Sequence, residues 1–328
     1  NSTFIQFNRN TLHKKNGYAK LLKLIGHEYF HQWNVKRLRP KEFQTYDYNI
    51  PIISDNLWFV EGVTSYFELA LPMLSGLSSV DDYLEDLSIE ISKALETPGR
   101  NLQSIADSSR EAWIKLYNST PASVDTQISY YRFGLLLSLC LDVFLRKSGS
   151  SLSNLLRIMW DKYGLNRIGY TRSDIKHQIS RINCELASEL DIWLDQPNSL
   201  PIKAVLKSLG LSLKNNNIDE TYTGMDISFS DNQFMVSRVS HNSPCSESDI
   251  IIGDNIIAID NFRVSKIEDF NYYFTPNKTS VVSYFRKGKL FHSEIVPKSS
   301  KDCKYTLVND VDIPDKSTTL RSKWLQII

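Results

Sequence analysis

The chain is 328 residues long, with 38 Lys and Arg against 37 Asp and Glu for a net charge of +1, enough for about two domains with a substantial core. That balance supplies neither the basic field nucleic acid requires nor an acidic tail, and 41% hydrophobic with 23% charged residues excludes a disordered chain. The longest apolar stretch, Gly134 to Leu145, is interrupted by Asp142 and too short to span a bilayer, so neither nucleic acid nor membrane is expected as a partner.

In chain order, Ser2 to Phe7 alternates and is β-branched, which predicts a strand, and a polar loop follows from Leu12 to Gly17. From Tyr18 to about Val35, Leu21, Leu24, Ile25 and Glu28 recur at helical spacing until Pro40 closes the segment. A second helix is expected from Leu57 through Glu68 to about Leu71, stopped by Pro72 and Gly76. Helical periodicity returns over 81–95, 130–147, 152–163 and 172–194, so the middle of the chain is mostly α. Beyond Gln196-Pro197-Asn198 the composition changes. Short β-branched runs begin at Met225, Phe234, Asn255, Ser280 and Lys289, with Gly253-Asp254, Asp260-Asn261 and Lys287-Gly288 as turn signals between them. The tail from Lys316 to Ile328 predicts a short helix carrying Leu320, Trp324, Leu325 and Ile328 that docks on the body. The expected class is α+β and multidomain, divided at 1–75, 76–197, 198–305 and 306–328.

Four cysteines, Cys140, Cys184, Cys245 and Cys303, form no CxxC pair, which fits a reducing compartment and a cytoplasmic location. The N-terminus shows no basic and apolar targeting signal, and an opening on Asn1 rather than Met is expected of a fragment or a processed product.

The chemistry concentrates in His27-Glu28-Tyr29-Phe30-His31, an H-E-x-x-H sequence inside the first predicted helix. Residues four apart stand one turn apart on one face, so both imidazoles can reach a single tetrahedral cation with Glu28 beside it. Zinc fits this spacing, and a catalytic site takes three protein ligands and leaves the fourth place to water. The competing reading is two histidines placed on a helix by chance. Glu61, in the next helix, is the candidate third ligand. Glu68, seven residues on and on the same face, is a candidate to accept an Nδ1 proton from a ligand histidine; the alternative is that Glu61 caps the helix and Glu68 is solvated. The remaining histidines, His13, His177, His241 and His292, lack ligand spacing and are expected at the surface. Cys140 is expected to be buried and inert, and Cys245 to pack.

The run from His27 through Gln32-Trp33-Asn34-Val35-Lys36-Arg37-Leu38-Arg39-Pro40, followed by Leu57-Trp58-Phe59-Val60-Glu61-Gly62-Val63-Thr64-Ser65-Tyr66, resembles the glycyl aminopeptidase family of gluzincin metallopeptidases, which carry a C-terminal PDZ domain. The resemblance implies a thermolysin-like pair of catalytic helices, one zinc ion on His27, His31 and Glu61, and Glu28 as general base. Ile128-Ser129-Tyr130-Tyr131-Arg132-Phe133-Gly134 is similar to the Tyr-x-x-Gly segment that supplies an oxyanion-stabilising tyrosine in related gluzincins. Tyr131 ranks ahead of Tyr130 for that role, against the alternative that both are packing aromatics. Lys36, Arg37 and Arg39 are expected to fix their loop through local ion pairs.

In the β-rich end, Tyr222-Thr223-Gly224-Met225 resembles the carboxylate-binding turn of PDZ domains, so Thr223, Gly224 and Met225 become the candidate peptide-binding residues. Ser243-Pro244-Cys245 and the run from Gly253 to Asn261 are similar to the S-P-A and G-D-x-I-x-x-I-x-G patterns of bacterial PDZ domains, with Cys245 for Ala and Asn261 for Gly. Taken together, the resemblance implies a zinc aminopeptidase that acts on peptide or protein substrates and releases small N-terminal residues such as Gly and Ala. The acidic residues that hold the substrate amine in such enzymes, and an N-terminal β-domain, are expected upstream of Asn1. Two other readings stay open: an endopeptidase acting on unfolded chains, and a PDZ-type adaptor that binds C-terminal peptides with vestigial catalysis.

Overall fold

The computed structural model describes residues 2–14, 16–310 and 314–326. It divides into two compact units, one built from 1–118, 127–214 and 305–328 and the other from 119–126 and 215–304. Helices and strands are both well represented, as the α+β class requires.

In the first unit Ser2 to Phe7 is extended but pairs with no strand among the described residues, so the expected strand is absent: alternation without a ladder partner does not make one. A 3₁₀ turn, Arg9–His13, occupies the expected polar loop. Helix α1 covers Gly17–Phe30. The second predicted helix opens as a π-helical turn, Trp58–Gly62, and continues as α2, Val63–Leu74. Pro72 lies inside α2 instead of ending it. The stop is Gly76, whose left-handed φ of 74° lets its own N–H and that of Leu77 return to the carbonyls of Met73 and Pro72. Helix α3 (Val80–Glu96) starts with a capping box between Ser79 and Asp82, and α4 (Ile105–Arg110) is capped by Ser104.

Helix α5 (Ser123–Thr126) is short; α6 (Tyr130–Lys147) is the central strut of the first unit, with Leu136, Leu137, Leu139, Leu141, Val143 and Leu145 fully buried. Its apolar run is longer than Gly134 to Leu145. By length and composition Ser123 to Lys147 is apolar enough to cross a membrane, and 78% of its most apolar window is buried inside the protein, which is the pattern of a core helix. The predicted helix over 152–163 is α7 (Leu152–Met159) followed by a second π turn, Trp160–Gly164. The predicted helix over 172–194 is two: α8 (Arg172–Ser180) and α9 (Cys184–Asp195), separated where the Asn183 side chain accepts from the N–H of Leu186 and caps α9. Helix α10 (Ile202–Ser208) buries Ile202, Val205 and Leu206 in this same core, so the compact units part near 215 and not at 198.

Strand β1 (Leu211–Tyr222) pairs with β8 (Lys298–Asn309) as a two-stranded ribbon carrying the chain from one unit to the other and back. In the second unit β2 (Met225–Ser230), β3 (Gln233–Val239), β4 (Asn255–Ile259), β6 (Ser280–Arg286) and β7 (Lys289–Ile295) form a sheet in the order β2-β3-β4-β6-β7, with β5 (Phe262–Arg263) paired to β4. Three of its hairpins close on two residues that both have positive φ: Asp231-Asn232, Asp260-Asn261 and Lys287-Gly288. Such turns twist with the strands, and Asn261 supplies the left-handed residue in place of Gly. Helix α11 (Glu268–Tyr273) sets Phe270 into a core with Phe234, Val236, Ile256, Ile259 and Val282. Helix α12 (Asp315–Leu325) belongs to the first unit, where Trp324 is fully buried; Ile328 lies outside the described residues.

Candidate metal centre

His27 lies in the last turn of α1 and His31 is its C-cap, so the two rings stand one turn apart, with Nε2 to Nε2 at 3.1 Å. Glu61 approaches from the π turn, its Oε2 lying 3.3 Å from each of these nitrogens. The outer nitrogens are tied back: His27 Nδ1 lies 2.9 Å from Glu68 Oε2 and His31 Nδ1 lies 3.1 Å from the carbonyl of Asn34. Each acceptor fixes the tautomer that protonates Nδ1 and turns the Nε2 lone pair inward.

Two glycines make this approach feasible. A Cβ on Gly62 would fall 2.4 Å from the Gly134 Cα, so the π turn lies directly on α6 only because neither residue has a side chain. The same contact sets Tyr131, one turn before Gly134, beside the cluster. Its ring centre lies 6.4 Å from that of His27, and it lines a cavity of about 270 Å³ with His27, Glu68 and Ser65. Burial and the neighbouring Glu61 carboxylate push the Tyr131 hydroxyl well above its ordinary range, so it is a neutral proton donor. Tyr130 is buried, stacked on Tyr131, and takes no place in that cavity. Tyr117 joins the pair, its hydroxyl 3.0 Å from that of Tyr130 and 3.3 Å from that of Tyr131. Nothing local marks Tyr117, since its part depends on a loop folding back onto α6.

Glu28 is half-buried beside His27, and its side chain makes no hydrogen bond or ion pair among the described residues. Arg39 holds the following loop through the carbonyls of Val35 and Lys36 at 3.1 and 2.9 Å, and Arg37 through that of Gln32; among the described residues Arg39 meets no carboxylate, where an ion pair was expected. Thr223 and Gly224 form the break between β1 and β2, with their carbonyls accepting from Cys245 and Ser240, and Met225 opens β2. A Cβ on Gly224 would meet Ser243 at 2.0 Å, so that turn also requires glycine.

The donor set fits a small cation. In a tetrahedron with bonds of about 2.0–2.1 Å the ligand atoms are separated by about 3.3–3.4 Å, and the three edges here are 3.1, 3.3 and 3.3 Å. Glu61 Oε2 is buried without a hydrogen-bond partner and stands equally far from both ring nitrogens. Burial disfavours the charged form of His27, but Glu61 and Glu68 carry its pKa up to about 9. Burial likewise works against Glu61, yet His27 and His31 hold it at about 2.

Residues 20–137 match the family model of the M61 glycyl aminopeptidases. Among solved structures the chain is similar to a crystal structure of an aminopeptidase N family protein from Idiomarina loihiensis, with 26% identity and a TM-score of 0.84 over 96% of this chain and 56% of that one. The chain therefore spans little more than half the length of that relative. Two partial overlaps carry no argument about the fold: an HtrA-type protease, AlgW, with a bound tripeptide (14% identity, TM-score 0.23, 25% of this chain and 32% of that one) and a serine endoprotease from Yersinia pestis (23% identity, TM-score 0.22, 25% and 29%). A comparison with curated proteins gave no match. Residues 20–137, with the histidine pair and the distant carboxylate among them, are thus similar to the M61 glycyl aminopeptidases, and the likeness to the aminopeptidase N family structure supports that family.

Proposed function

We propose that this protein is a zinc-dependent peptidase of the aminopeptidase type, releasing small N-terminal residues such as Gly and Ala from peptide substrates. The reading rests on one observation: two imidazole nitrogens and a carboxylate oxygen converge with edges of 3.1–3.3 Å, each ring locked by an outer acceptor. A zinc ion held by His27, His31 and Glu61 would polarise the scissile carbonyl and acidify water at neutral pH. Glu28 takes the proton from the attacking water and delivers it to the leaving amine. Tyr131, kept neutral, donates a hydrogen bond to the carbonyl oxygen as negative charge develops there. Glu68 holds His27 in the productive tautomer. The helix pair α1 and α2 is read as the thermolysin-like element. The second unit is read as PDZ-like, with Thr223, Gly224 and Met225 at the turn before β2, a strand that among the described residues pairs on one side only and is suited to accept a peptide C-terminus along its other edge.

A panel of amino acid amides and matched N-acetylated peptides tests the assignment on the zinc-loaded protein. Glycine and alanine amides should be cleaved in a chelator-sensitive reaction, and acetylation should abolish it. Continued internal cleavage of blocked peptides would move the assignment to an endopeptidase.

Metal binding should depend on pH in a defined direction. Because Glu61 and Glu68 raise the His27 pKa, to about 9, zinc competes with a proton there, and apparent affinity should rise with pH toward that value and then level off. The ion-free protein should show the opposite trend. A raised His27 pKa contributes stability that is complete below its ordinary value of 6.5 and is lost as pH rises through about 9. Chelator competition between about pH 7 and 9 checks the first trend, and a flat affinity profile would contradict it.

A further inference from the structure

Asn34 is buried three residues past His31; its main-chain carbonyl and its side-chain Nδ2 both bond into the metal centre's framework, while Oδ1 has no hydrogen-bond partner among the described residues. Its carbonyl accepts the Nδ1 proton of His31 at 3.1 Å. Its side-chain amide reaches the other ligand's support: Nδ2 lies 2.9 Å from the carbonyl of Phe59, 3.0 Å from that of Val60 and 3.2 Å from Thr64 Oγ1. Those acceptors bracket Glu61. A π turn carries one more residue than an α turn, and its carbonyls are less regularly satisfied; Asn34 supplies the donor that this turn needs from outside. Thr64 Oγ1 donates to the carbonyl of Val60 at 2.6 Å and locks the same point from within.

The chain accepts strain to hold Asn34 there. The next residue, Val35, sits at φ 88°, a left-handed conformation rare for a β-branched side chain. It is held by its N–H bond to the Leu38 carbonyl at 2.9 Å. Strain of this sort persists where the surroundings over-determine it, and here it lies one residue from a group that touches the supports of two ligands.

We propose that Asn34 is a positioning residue that fixes, in one side chain and its own carbonyl, both the tautomer of His31 and the register of the π turn presenting Glu61. The inference rests on the metal-centre reading above. Its action is geometric: without the amide, the Phe59 and Val60 carbonyls lose their external donor, the turn can relax toward an α-helix, and Glu61 rotates away from the histidines.

The test is zinc affinity of the whole chain, measured by chelator competition, together with the melting temperature of the ion-free form. Asn34→Ala should raise the zinc Kd by about 10–100-fold, the size typical when an outer-shell partner is removed. Leu190→Ala, a cavity in the buried helical core, should lower the melting temperature while keeping Kd within about twofold, as for independent sites. A folded Asn34→Ala with wild-type affinity overturns the proposal, as does a Leu190→Ala that loses as much affinity, since the effect would then be general destabilisation. If the alanine variant is recovered only unfolded, Asn34→Ser, which retains one donor, decides on the same readout. Failure of the wild-type chain to bind zinc is a separate result: it removes the metal centre itself.

Discussion

Glu28→Gln is expected to keep the metal centre and lose the chemistry. Glu28 is outside the ligand triangle of His27, His31 and Glu61, and its side chain supports no other group among the described residues. Glutamine keeps its size and helix propensity, so neither the rings nor Glu61 has reason to move. What disappears is the capacity to take a proton from water and return it to the leaving amine. General acid–base groups are worth about 10²–10⁴ in rate, so kcat should fall by at least about 10²-fold, with zinc affinity and melting temperature near wild type. KM for an amide substrate should change little, because the interaction lost is made in the transition state. Metal content and turnover measured on the same preparation separate the two effects. Undiminished turnover would remove Glu28 from the mechanism, and a fall matched by lost zinc would place it among the supports of the ligands instead.

What was readable in advance follows the range of the forces involved. The histidine pair needs only the pitch of one helix, so its geometry is written in five consecutive residues. The hairpins at Asp260-Asn261 and Lys287-Gly288 are equally local, because two residues that tolerate positive φ are enough to turn the chain. Asp231-Asn232 has the same conformation but a weaker local signal, since polar Ser230 and Gln233 flank it where the strands end. Other features depend on a second segment arriving. The strand expected over Ser2 to Phe7 had the right alternation but no partner, whereas β1 and β8 run through polar sequence that takes strand form by pairing with each other. The π turn at Trp58–Gly62 has no local signature; it reflects the Asn34 amide on one side and the Gly62–Gly134 contact on the other. Tyr-x-x-Gly pointed to Tyr131 by likeness, and the structure gives a physical reason for its glycine: the smallest side chain lets the turn carrying Glu61 lie against α6.

Replacing Asp142 is expected to have the largest effect on stability of any single substitution away from the metal centre. In the sequence this residue only interrupts an apolar run. In the fold it is fully buried and accepts three hydrogen bonds: from the Tyr66 hydroxyl at 2.9 Å, Arg146 Nε at 3.0 Å and the N–H of Leu152 at 2.7 Å. Burial, reinforced by the adjacent carboxylate, holds the Tyr66 hydroxyl protonated, so it donates to Asp142 while accepting from Trp324 Nε1 at 2.9 Å. One carboxylate thus joins α2, α6, the start of α7 and the tail helix α12. Asp142→Ala would leave the Arg146 guanidinium, whose side chain is 8% exposed, without its counter-charge. Breaking a buried pair from one side costs about 3–5 kcal/mol, a fall in melting temperature of about 6–20 °C for a unit of this size. Tyr66→Phe should cost less, about 1.5–3 kcal/mol, since it removes one hydrogen bond to the carboxylate and leaves Trp324 Nε1 without its acceptor but keeps the Arg146 counter-charge in place. The double change Asp142→Leu with Arg146→Met should recover most of the loss, because an apolar pair needs no solvation in this core. Thermal melts of the three ion-free variants read the order directly. If Asp142→Ala melts with Tyr66→Phe, the carboxylate is not the node that ties the tail helix to the core.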